Sequence, residues 1–348
     1  MASSDHVALT LLPWPWWRQI GERLREGWRP SDLLEALLAE RPLHSGTSAA
    51  DLRARAAQAV ADAQLTGAAA ISWDEAEYPP LLSAIADPPT VLWIAGRLDV
   101  LRAPAVAIVG SRAASPYALA VAERLAADLT ARGVVVVSGL ARGVDSAAHH
   151  GALGAGGSTI GVLGCGVDVV YPPEYRGLAG EMRRSGALMS ELVPGTPPLA
   201  HFFPLRNRII SGLARAVVVI EAGDKSGSLI TARLALEQGR EVLAVPGNVL
   251  NGRNRGGHAL LRDGAKVVET ADDILEELNL PGAGASSPAQ AGAGADGLLA
   301  WLPPGESCDL DAIVEQSGVP IDRVLPRLLD LELKGIVRRA GGGRFVRI

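Results

Sequence analysis

The chain has 348 residues, of which 48% are hydrophobic, and its formal net charge is −5 at pH 7. This length suggests about two or three domains of roughly 100–200 residues each. The acidic balance excludes a protein that is basic over its whole surface. It leaves room for a locally basic groove, because contact with a polyanion depends on where the charges lie.

Cysteine usage and hydrophobic runs narrow the class of protein further. Cys165 and Cys308 are far apart and have no histidine or cysteine at metal-ligand spacing, so neither a disulfide framework nor a metal site is expected. The first residues lack the basic segment and long apolar core of a signal peptide. No apolar run reaches the roughly 20 residues of a membrane span. We therefore expect a cytoplasmic protein without membrane contact.

Residues 1–78 are predicted to form a helical module. Three segments carry apolar residues at helical spacing, and glycine and proline residues separate them; the segments are WRQIGERLREG, PSDLLEALLAE and SAADLRARAAQAVADAQ. Trp14, Trp16 and Trp17 stand just before the first segment. Stacking against nucleic-acid bases is one interpretation of these tryptophans, but burial in the core is favoured because tryptophan is highly buried on average.

Residues 79–280 are predicted to form an α/β domain with a doubly wound, Rossmann-like, mostly parallel sheet. Short apolar runs alternate with helical patterns, which indicates strands that are covered by helices on both faces. The predicted strands are VAIVG (106–110), VVVVSG (134–139), STIGVLG (158–164), GALMSE (186–191), AVVVIEA (216–222), EVLAVPG (241–247) and KVVE (266–269).

The C-terminal part of the chain reads as a linker followed by a small domain. Residues 281–297 consist mainly of Ala, Gly, Ser and Pro, and this composition predicts a flexible linker. Residues 298–348 show three helical patterns and then two short strand patterns around three consecutive glycines. This order is typical of a winged helix, with residues 320–334 in the position of the recognition helix.

The loops that follow the predicted parallel strands are rich in glycine, serine and basic residues. Ligands of such sheets sit outside the carboxyl ends of the strands, so these loops are expected at one common edge. Glycine lets a backbone approach a ligand closely, and a helix N-terminus presents free N–H groups to an anion. The candidate binding residues in these loops are Gly110, Ser111, Arg112, Gly139, Arg142, Gly143, Gly164, Gly166, Lys225, Ser226, Gly227 and Ser228.

A further basic segment lies between the fourth and fifth predicted strands. Arg206, Asn207 and Arg208 are predicted to start the helix that leads into AVVVIEA. The start of a crossover helix follows the carboxyl end of the preceding strand, which places these residues at the same edge. Placing a charged side chain beside a hydrophobic core costs free energy unless an oppositely charged or hydrogen-bonding partner is present. We expect the two arginines to bind phosphate, and more than one phosphate, because basic groups come from so many loops.

Two familiar nucleotide-binding motifs do not match. The dinucleotide fingerprint G-x-G-x-x-G fails because GCGVDV has Val169 at the third glycine position, and the phosphate loop G-x-x-x-x-G-K-[ST] fails because no glycine directly precedes Lys225. Binding of NAD or ATP as a cofactor is therefore unsupported, and no cofactor is expected.

Several polar residues have both an enzymatic and a structural interpretation. Asp145 and His149 lie four residues apart at the head of a helix and could act as an acid/base pair, but the favoured interpretation is that Asp145 caps the helix and His149 supports the loop. Glu191 and Glu221 end strands and are expected to accept hydrogen bonds from loop amides. Helix capping accounts for Ser226 and Ser228 without further chemistry.

Five segments together carry a resemblance to a known family. AIVGSR, SGLARGVDSAAHHGAL, GVLGCGVDVVYP, FPLRNRIISGL and EAGDKSGSLITARLALEQGREVLAVPG occur in this order. They resemble the DprA/Smf family, the DNA-processing proteins of bacterial transformation, over roughly residues 79–270. The resemblance places a sterile-alpha-motif-like domain at the N-terminus and a winged helix at the C-terminus.

The resemblance implies a function and a set of partners. It implies binding of single-stranded DNA without strong sequence preference and loading of the RecA recombinase onto DNA coated by single-strand-binding protein. It also implies a homodimer through the Rossmann-like domain and no enzymatic turnover. Arg112 is at the position of a family arginine that contributes to the DNA pocket. Pro173 stands where many relatives carry a basic residue, with Glu174 and Tyr175 after it.

The physical argument agrees with a single-strand binder, and two other function classes stay as alternatives. Separated cations suit a polyanion, and Tyr171, Tyr175, Phe202 and Phe203 are the aromatic residues nearest the edge. One alternative is a nucleotide hydrolase that uses Glu221, although its relatives require a PGGxGT-type loop where this chain has EAGDKSGS. The other alternative is a transcriptional regulator, although residues 320–334 hold as many acids as bases.

Overall fold

The computed structural model describes residues 2–43, 46–280, 297–303 and 305–347 of the chain. Residues 281–296 of the predicted linker lie outside the described residues, so the linker stays a prediction. Within the described part, no helix is both long enough and apolar enough to cross a membrane.

The N-terminal region contains the three predicted helices and one additional helix before them. The helices are α1 (Ser4–Thr10), α2 (Trp17–Arg25), α3 (Pro30–Glu40) and α4 (Ala49–Leu65), with a 3-10 turn at Trp14–Trp16. Ser48 and Asp51 form a capping box at the start of α4, which satisfies N–H groups that a helix N-terminus leaves free.

The N-terminal helices share one hydrophobic core with the central sheet. Leu33, Leu34 and Leu37 of α3 belong to the same cluster as Trp93 and Leu188 of the sheet. A small helical module has little core of its own, so burying its apolar face against a sheet adds to its stability. The strand Ala68–Ser72, which precedes the predicted boundary at residue 79, is the edge strand of this sheet.

The central domain is built on one nine-stranded sheet. Its strands are β1 (Ala68–Ser72), β2 (Val91–Gly96), β3 (Ala105–Val109), β4 (Val135–Ser138), β5 (Thr159–Val162), β6 (Ala187–Ser190), β7 (Ala216–Val219), β8 (Glu241–Ala244) and β9 (Lys266–Val267). The strand order is β1-β2-β6-β5-β4-β3-β7-β8-β9. Strands β3 to β9 are parallel and correspond to the seven predicted strands. The sequence did not indicate β1 and β2, which pair antiparallel at one edge.

Helices cover both faces of the sheet, which confirms the predicted doubly wound fold. They are α5 (Pro80–Ser83), α6 (Pro116–Thr130), α7 (Val144–Gly154), α8 (Arg176–Ser185), α9 (Phe202–Leu213), α10 (Gly227–Glu237), α11 (Arg255–Arg262) and α12 (Ala271–Glu277), with 3-10 turns at Asp99–Arg102 and Pro173–Tyr175. Alternate residues of β3 divide between the two cores, since Val106 packs with α6 and Ala107 packs with α9.

The chain reverses its direction of travel across the sheet after β6. From β3 it moves outward through β4, β5 and β6, and it then returns to place β7 on the other side of β3. The loops after β3 and β7 therefore leave in opposite directions and open a crevice between them. Ligands of doubly wound folds bind at such a switch point.

The C-terminal domain is a winged helix with its own core. It contains a 3-10 turn (Gly297–Trp301), β10 (Ser307–Asp309), α13 (Leu310–Ser317), α14 (Ile321–Leu333), β11 (Val337–Ala340) and β12 (Arg344–Arg347). The first of the three predicted helical patterns is therefore only a short turn, followed by a strand that the sequence did not indicate. Arg338 pairs with Glu123 of α6 at 2.7 Å, so this domain contacts the central one.

Candidate functional site

A cavity of about 880 Å³ opens at the switch point between β3 and β7. The loop after β3, the loop after β7 and the start of α9 line it. From the candidate residues of the sequence it includes Gly110, Ser111, Arg112, Arg206, Asn207, Lys225, Ser226, Gly227 and Ser228. These nine residues come from three separate segments of the chain, which the parallel topology brings to one edge.

The charges around the cavity are predominantly positive. Of the described residues that line it, Arg112, Arg206 and Lys225 are basic and Asp145 is acidic. Arg112 and Lys225 are exposed to solvent, whereas Arg206 is only 5% exposed. The cavity thus has two cations at its mouth and one in its floor, which suits an anion with more than one charge.

Arg206 is held in the floor by the end of β5 and the first turn of α7, beside the loop after β4. Its Nη1 donates to the carbonyl oxygen of Val162, and its Nη2 lies 3.9 Å from Asp145 Oδ2. A Cβ atom at residue 139 would overlap the guanidinium, so Gly139 makes room for it. The buried Nε of Arg206 has no hydrogen-bond partner among the described residues. The guanidinium is therefore incompletely satisfied by the protein.

Burial and charge affect the titration of this pair. Burial lowers the pKa of Arg206 to about 10, and Asp145 opposes that shift, so Arg206 is still charged at neutral pH. Burial raises the pKa of Asp145, while the nearby Arg206 charge and amide hydrogen bonds act against it. Asp145 accepts hydrogen bonds from the backbone N–H groups of Gly139 and Ala141 at 3.1 and 3.4 Å. Its charge is thus divided between these amides and Arg206.

The start of α10 supplies backbone donors at the same cavity. Ser226 is the N-cap, and its Oγ accepts from the Ser228 N–H at 3.4 Å and lies 2.7 Å from Ser228 Oγ. This confirms the capping interpretation of Ser226, whereas Ser228 is the second residue of the helix and donates its N–H to the cap. The positive end of the helix dipole and the first-turn N–H groups lie beside Lys225, an arrangement that favours anions.

Arg208 is not part of the cavity, which corrects the expectation that it waits for a phosphate. Helix α9 starts at Phe202, four residues before the predicted start, because Pro204 is tolerated in a first turn. Arg208 is therefore in the body of the helix, and it forms a bidentate pair with Glu191 at 2.6 and 2.9 Å. Its Nε also donates to Asp87 Oδ2 at 3.0 Å. Burial opposes this charge, but Glu191 and Asp87 outweigh it and raise the pKa of Arg208.

The other candidate residues lie outside the lining of the cavity. Arg142 is exposed and pairs with Glu174 at 2.7 Å, one of the residues that follow Pro173. Gly143 has a φ of +80°, and a side chain there would overlap the carbonyl oxygen of Ser111, so this glycine lets the loops after β3 and β4 pack together. Gly164 faces Phe203, and Gly166 packs against Asp168. These glycines shape the loops behind the cavity rather than its surface.

The groups considered for catalysis have structural partners. Helix α7 starts at Val144 with Gly143 as its N-cap, so the prediction that Asp145 caps it is wrong. The interpretation that His149 supports the loop is confirmed, because its Nε2 accepts from the Leu140 N–H at 3.3 Å and its Nδ1 lies 2.7 Å from Thr159 Oγ1. Burial lowers the pKa of His149 to about 3, so the ring is neutral.

The two strand-end glutamates have different roles. Glu221 accepts hydrogen bonds from the N–H and the hydroxyl of Ser115 at 3.1 and 2.6 Å, which confirms the expectation of loop amides. Glu191 instead pairs with Arg208. The described residues contain no group of three or more His, Cys, Asp or Glu that could hold a metal ion.

Two aromatic residues lie at the mouth of the cavity. Tyr171 and Phe203 both line it, their ring centroids are 5.6 Å apart, and the Arg112 guanidinium lies 5.5 Å from the Phe203 ring. Phe202 is buried, and Tyr175 donates to Ser146 Oγ at 3.0 Å outside the cavity. Composition alone did not distinguish these four aromatics. Their register on the loop after β5 and on α9 decides which two face the cavity.

Comparisons with known proteins agree with this architecture. A family model described as DNA recombination-mediator protein A matches residues 69–279, and a DprA winged helix domain matches residues 282–343. The chain is 42% identical to Protein Smf of Escherichia coli strain K12 over 286 residues, which cover 79% of this chain and 76% of that protein.

Two solved structures are similar over most of their own length. The X-ray structure of DNA processing protein A from Streptococcus pneumoniae matches with a TM-score of 0.62 and 38% identity, over 78% of this chain and 93% of that one. The structure of DNA processing protein A from Helicobacter pylori, described for its unique single-stranded DNA binding mode, matches with a TM-score of 0.55 and 29% identity, over 61% and 95% of the two chains. The resemblance found in the sequence is thereby confirmed, and the chain belongs to the DNA recombination-mediator protein A (DprA) family.

Proposed function

We propose that the switch-point cavity binds the phosphates of single-stranded DNA. The observation that carries the proposal is the convergence of Arg112, Arg206, Lys225 and the N-terminus of α10 on one cavity with a single acidic side chain among its described lining residues. Contacts to phosphate contain no base information, so sequence preference is low. The DNA-binding mode described for the Helicobacter pylori relative supports the same ligand.

The test is a titration of a labelled oligothymidylate across salt concentrations. Arg112→Ala and Lys225→Ala each remove one exposed cation, so affinity falls and the plot of log K against log salt becomes less steep by about 0.7 for each phosphate that is no longer neutralised. The matched control is Arg262→Ala, which removes an exposed arginine from α11, outside the cavity lining. Unchanged binding and slope in both cavity variants would refute the proposed site.

We further propose that the DNA-bound protein acts as a mediator that loads the RecA recombinase. Membership of the recombination-mediator family supports this role. With single-stranded DNA coated by single-strand-binding protein, adding the full chain should shorten the lag before RecA filaments form. Arg112→Ala should lengthen that lag again.

A homodimer through the central domain is part of the proposal, and sedimentation of the full chain at increasing concentration tests it.

The mediator is proposed to act without catalytic turnover. The groups that an acid/base mechanism would need are already in use: Glu221 accepts from Ser115, and the ring of His149 is buried and neutral. Incubation with nucleoside monophosphates should release no free base. Turnover that Glu221→Gln abolishes would instead identify the hydrolase alternative.

A further inference from the structure

Trp14 is half exposed although tryptophan is the largest apolar side chain. It is 49% exposed, whereas Trp16 and Trp17 pack against the core that the N-terminal helices share with the sheet. Trp17 also donates its ring N–H to the carbonyl oxygen of Leu12 at 3.1 Å, and Arg41 lies 5.8 Å from the Trp16 ring. Leaving a large aromatic surface in water gives up a substantial burial energy. Trp14 therefore presents an aromatic surface to solvent.

The ring of Trp14 stacks on a residue from a different part of the chain. His201, an exposed residue directly before α9, lies with its ring centroid 5.8 Å from that of Trp14 and at an angle of 25°. This contact joins the 3-10 turn before α2 to the first turn of α9. Two exposed rings from separate segments thus form one aromatic surface.

This aromatic surface continues to the DNA cavity. His201 is two residues before Phe203, which lines the cavity with Tyr171 and lies beside Arg112. Phe202 between them is buried and packs its ring 4.2 Å from that of His201, which fixes the turn. Ala200, one residue before His201, also lines the cavity. Residues 200–203 therefore connect the cavity, through Ala200 and Phe203, with the Trp14 ring, through His201.

A basic side chain lies at the Trp14 end of this aromatic surface. Arg18, whose side chain is 82% exposed and pairs with Glu22 at 3.1 Å, lines a smaller cavity of about 310 Å³ together with Trp14 and Trp17. The Asp87 and Glu191 carboxylates in the lining of that cavity are paired with Arg208. Proteins that hold single strands combine such cations with aromatic rings on which bases stack, and the rings accept any base because every base has a π-face. The bases of a duplex are already stacked and paired, so they are not available to these rings.

We propose that a single strand leaving the switch-point cavity runs across the start of α9 to the N-terminal helices and stacks its bases on His201 and Trp14. This inference rests on the proposed DNA binding at the cavity and assigns a role to the N-terminal helices. The cavity holds phosphates, and the Trp14–His201 surface holds bases of the following nucleotides. Strand length then decides whether the second surface is reached.

The test compares short and long strands with the full chain. Labelled oligothymidylates of about 6 and about 20 nucleotides are titrated, since the shorter fills roughly one binding site and the longer extends beyond it. Trp14→Ala should weaken binding of the long strand at least about five-fold, the effect of losing one stacked base, and leave the short strand unchanged. Trp14→Phe keeps a ring and should restore most of the affinity.

The matched control is Trp28→Ala. Trp28 is also an exposed tryptophan of the N-terminal helices, 41% exposed, but its ring lies 5.5 Å from Arg23 and has no ring contact to His201 in the described structure. Trp28→Ala should leave the binding affinity for both the short and the long strand unchanged. A long strand can also be made with abasic sites outside the segment that binds the cavity. Since these nucleotides have no base to stack on Trp14, this strand should bind wild-type protein and Trp14→Ala with equal affinity.

The outcomes separate this inference from the proposed function. If Arg112→Ala weakens both strands while Trp14→Ala weakens neither, the stacking path is wrong and the cavity stands. Equal losses on both strands with Trp14→Ala, or an equal loss with Trp28→Ala, would also overturn the path, because they indicate a change in folding. If Arg112→Ala affects neither strand, the proposed function itself fails.

Discussion

Arg206 and Arg208 lie two residues apart in α9, and their side chains serve two different regions of the molecule. Both are buried, with 5% and 7% exposure. Arg208 joins Glu191 and Asp87 in a closed set of ion pairs between the central sheet and the segment before β2. Arg206 faces the switch-point cavity, where its nearest carboxylate oxygen is 3.9 Å away and its Nε has no partner in the described structure.

The difference shows that burial of an arginine does not by itself indicate a ligand site. Two residues along an α-helix differ by about 200° in direction, so the two side chains point to opposite sides of α9. One side meets a matching carboxylate, and the other meets a cavity with an excess of positive charge. The two arginines thus differ in how closely carboxylates balance their charges.

The largest effect is expected when the ion-paired arginine, Arg208, is removed. Arg208→Met leaves Glu191 buried without a partner, which should lower the free energy of unfolding by about 3–5 kcal/mol. Urea unfolding measures this loss. The double variant Arg208→Met with Glu191→Leu should recover most of it, because no buried charge remains. Normal stability together with lost DNA affinity in Arg208→Met would place Arg208 in the binding site instead.

Acid should destabilise the fold through His149, whose ring accepts a hydrogen bond from the loop after β4. Burial, with smaller effects of His150 and Arg206, lowers the pKa of His149 from 6.5 to about 3. Above pH 6.5 the ring is neutral in both states, but between pH 6.5 and about 3 only the unfolded state binds the proton. Stability therefore falls as the pH falls through this window, by about 2 kcal/mol at pH 5.

Urea midpoints between pH 7 and pH 4 check this prediction. His149→Gln removes the titrating ring, so its midpoints should depend less on pH than those of the wild type. The raised pKa of Asp145 contributes a slope of opposite sign, because its folded form takes up a proton more readily. An equally steep acid loss in His149→Gln would show that other groups control it.

Removal of the cavity arginine should affect binding more than stability. Arg206→Met should reduce oligothymidylate affinity at least about ten-fold, since a hydrogen bond to a charged group contributes about 1.5–3 kcal/mol. The salt dependence should weaken by about 0.7 in slope. Arg208→Met is the matched control from the same helix, and its folded fraction should bind like the wild type. The reverse pattern would invert the roles assigned to the two arginines.

The smallest effect is expected at the exposed pair beside the cavity. We expect phosphate to compete with Glu174 for Arg142, so Glu174→Gln should raise DNA affinity by no more than about three-fold, as expected for a solvated pair. Glu123→Gln is the control, because it breaks another exposed pair of the same 2.7 Å length away from the cavity. Unchanged affinity with Glu174→Gln would mean that Arg142 does not contact the strand.

The sequence predicted which loops form this site, although no single residue in them indicates a binding site by itself. Nine of the candidate residues line one cavity because parallel strands carry their loops to a common edge, and that follows from the alternation of strands and helices. The error at Arg208 has a different origin. Glu191 is 17 residues away in sequence, and no local pattern indicates that the two side chains meet. The prediction that Trp14 belongs to the core was also wrong. The exposure of its ring depends on how the other helices pack, which the local sequence does not indicate.

The sequence by itself determined the family, the seven parallel strands and the loops that form the site, because periodicity and turn residues act over short distances along the chain. Tertiary structure alone decided which arginine faces the cavity, which aromatics stay exposed and that the N-terminal helices share the core of the sheet. These features depend on side chains that meet across long separations in sequence. Such contacts depend on how helices and strands pack against each other, and the sequence of a single element does not predict them.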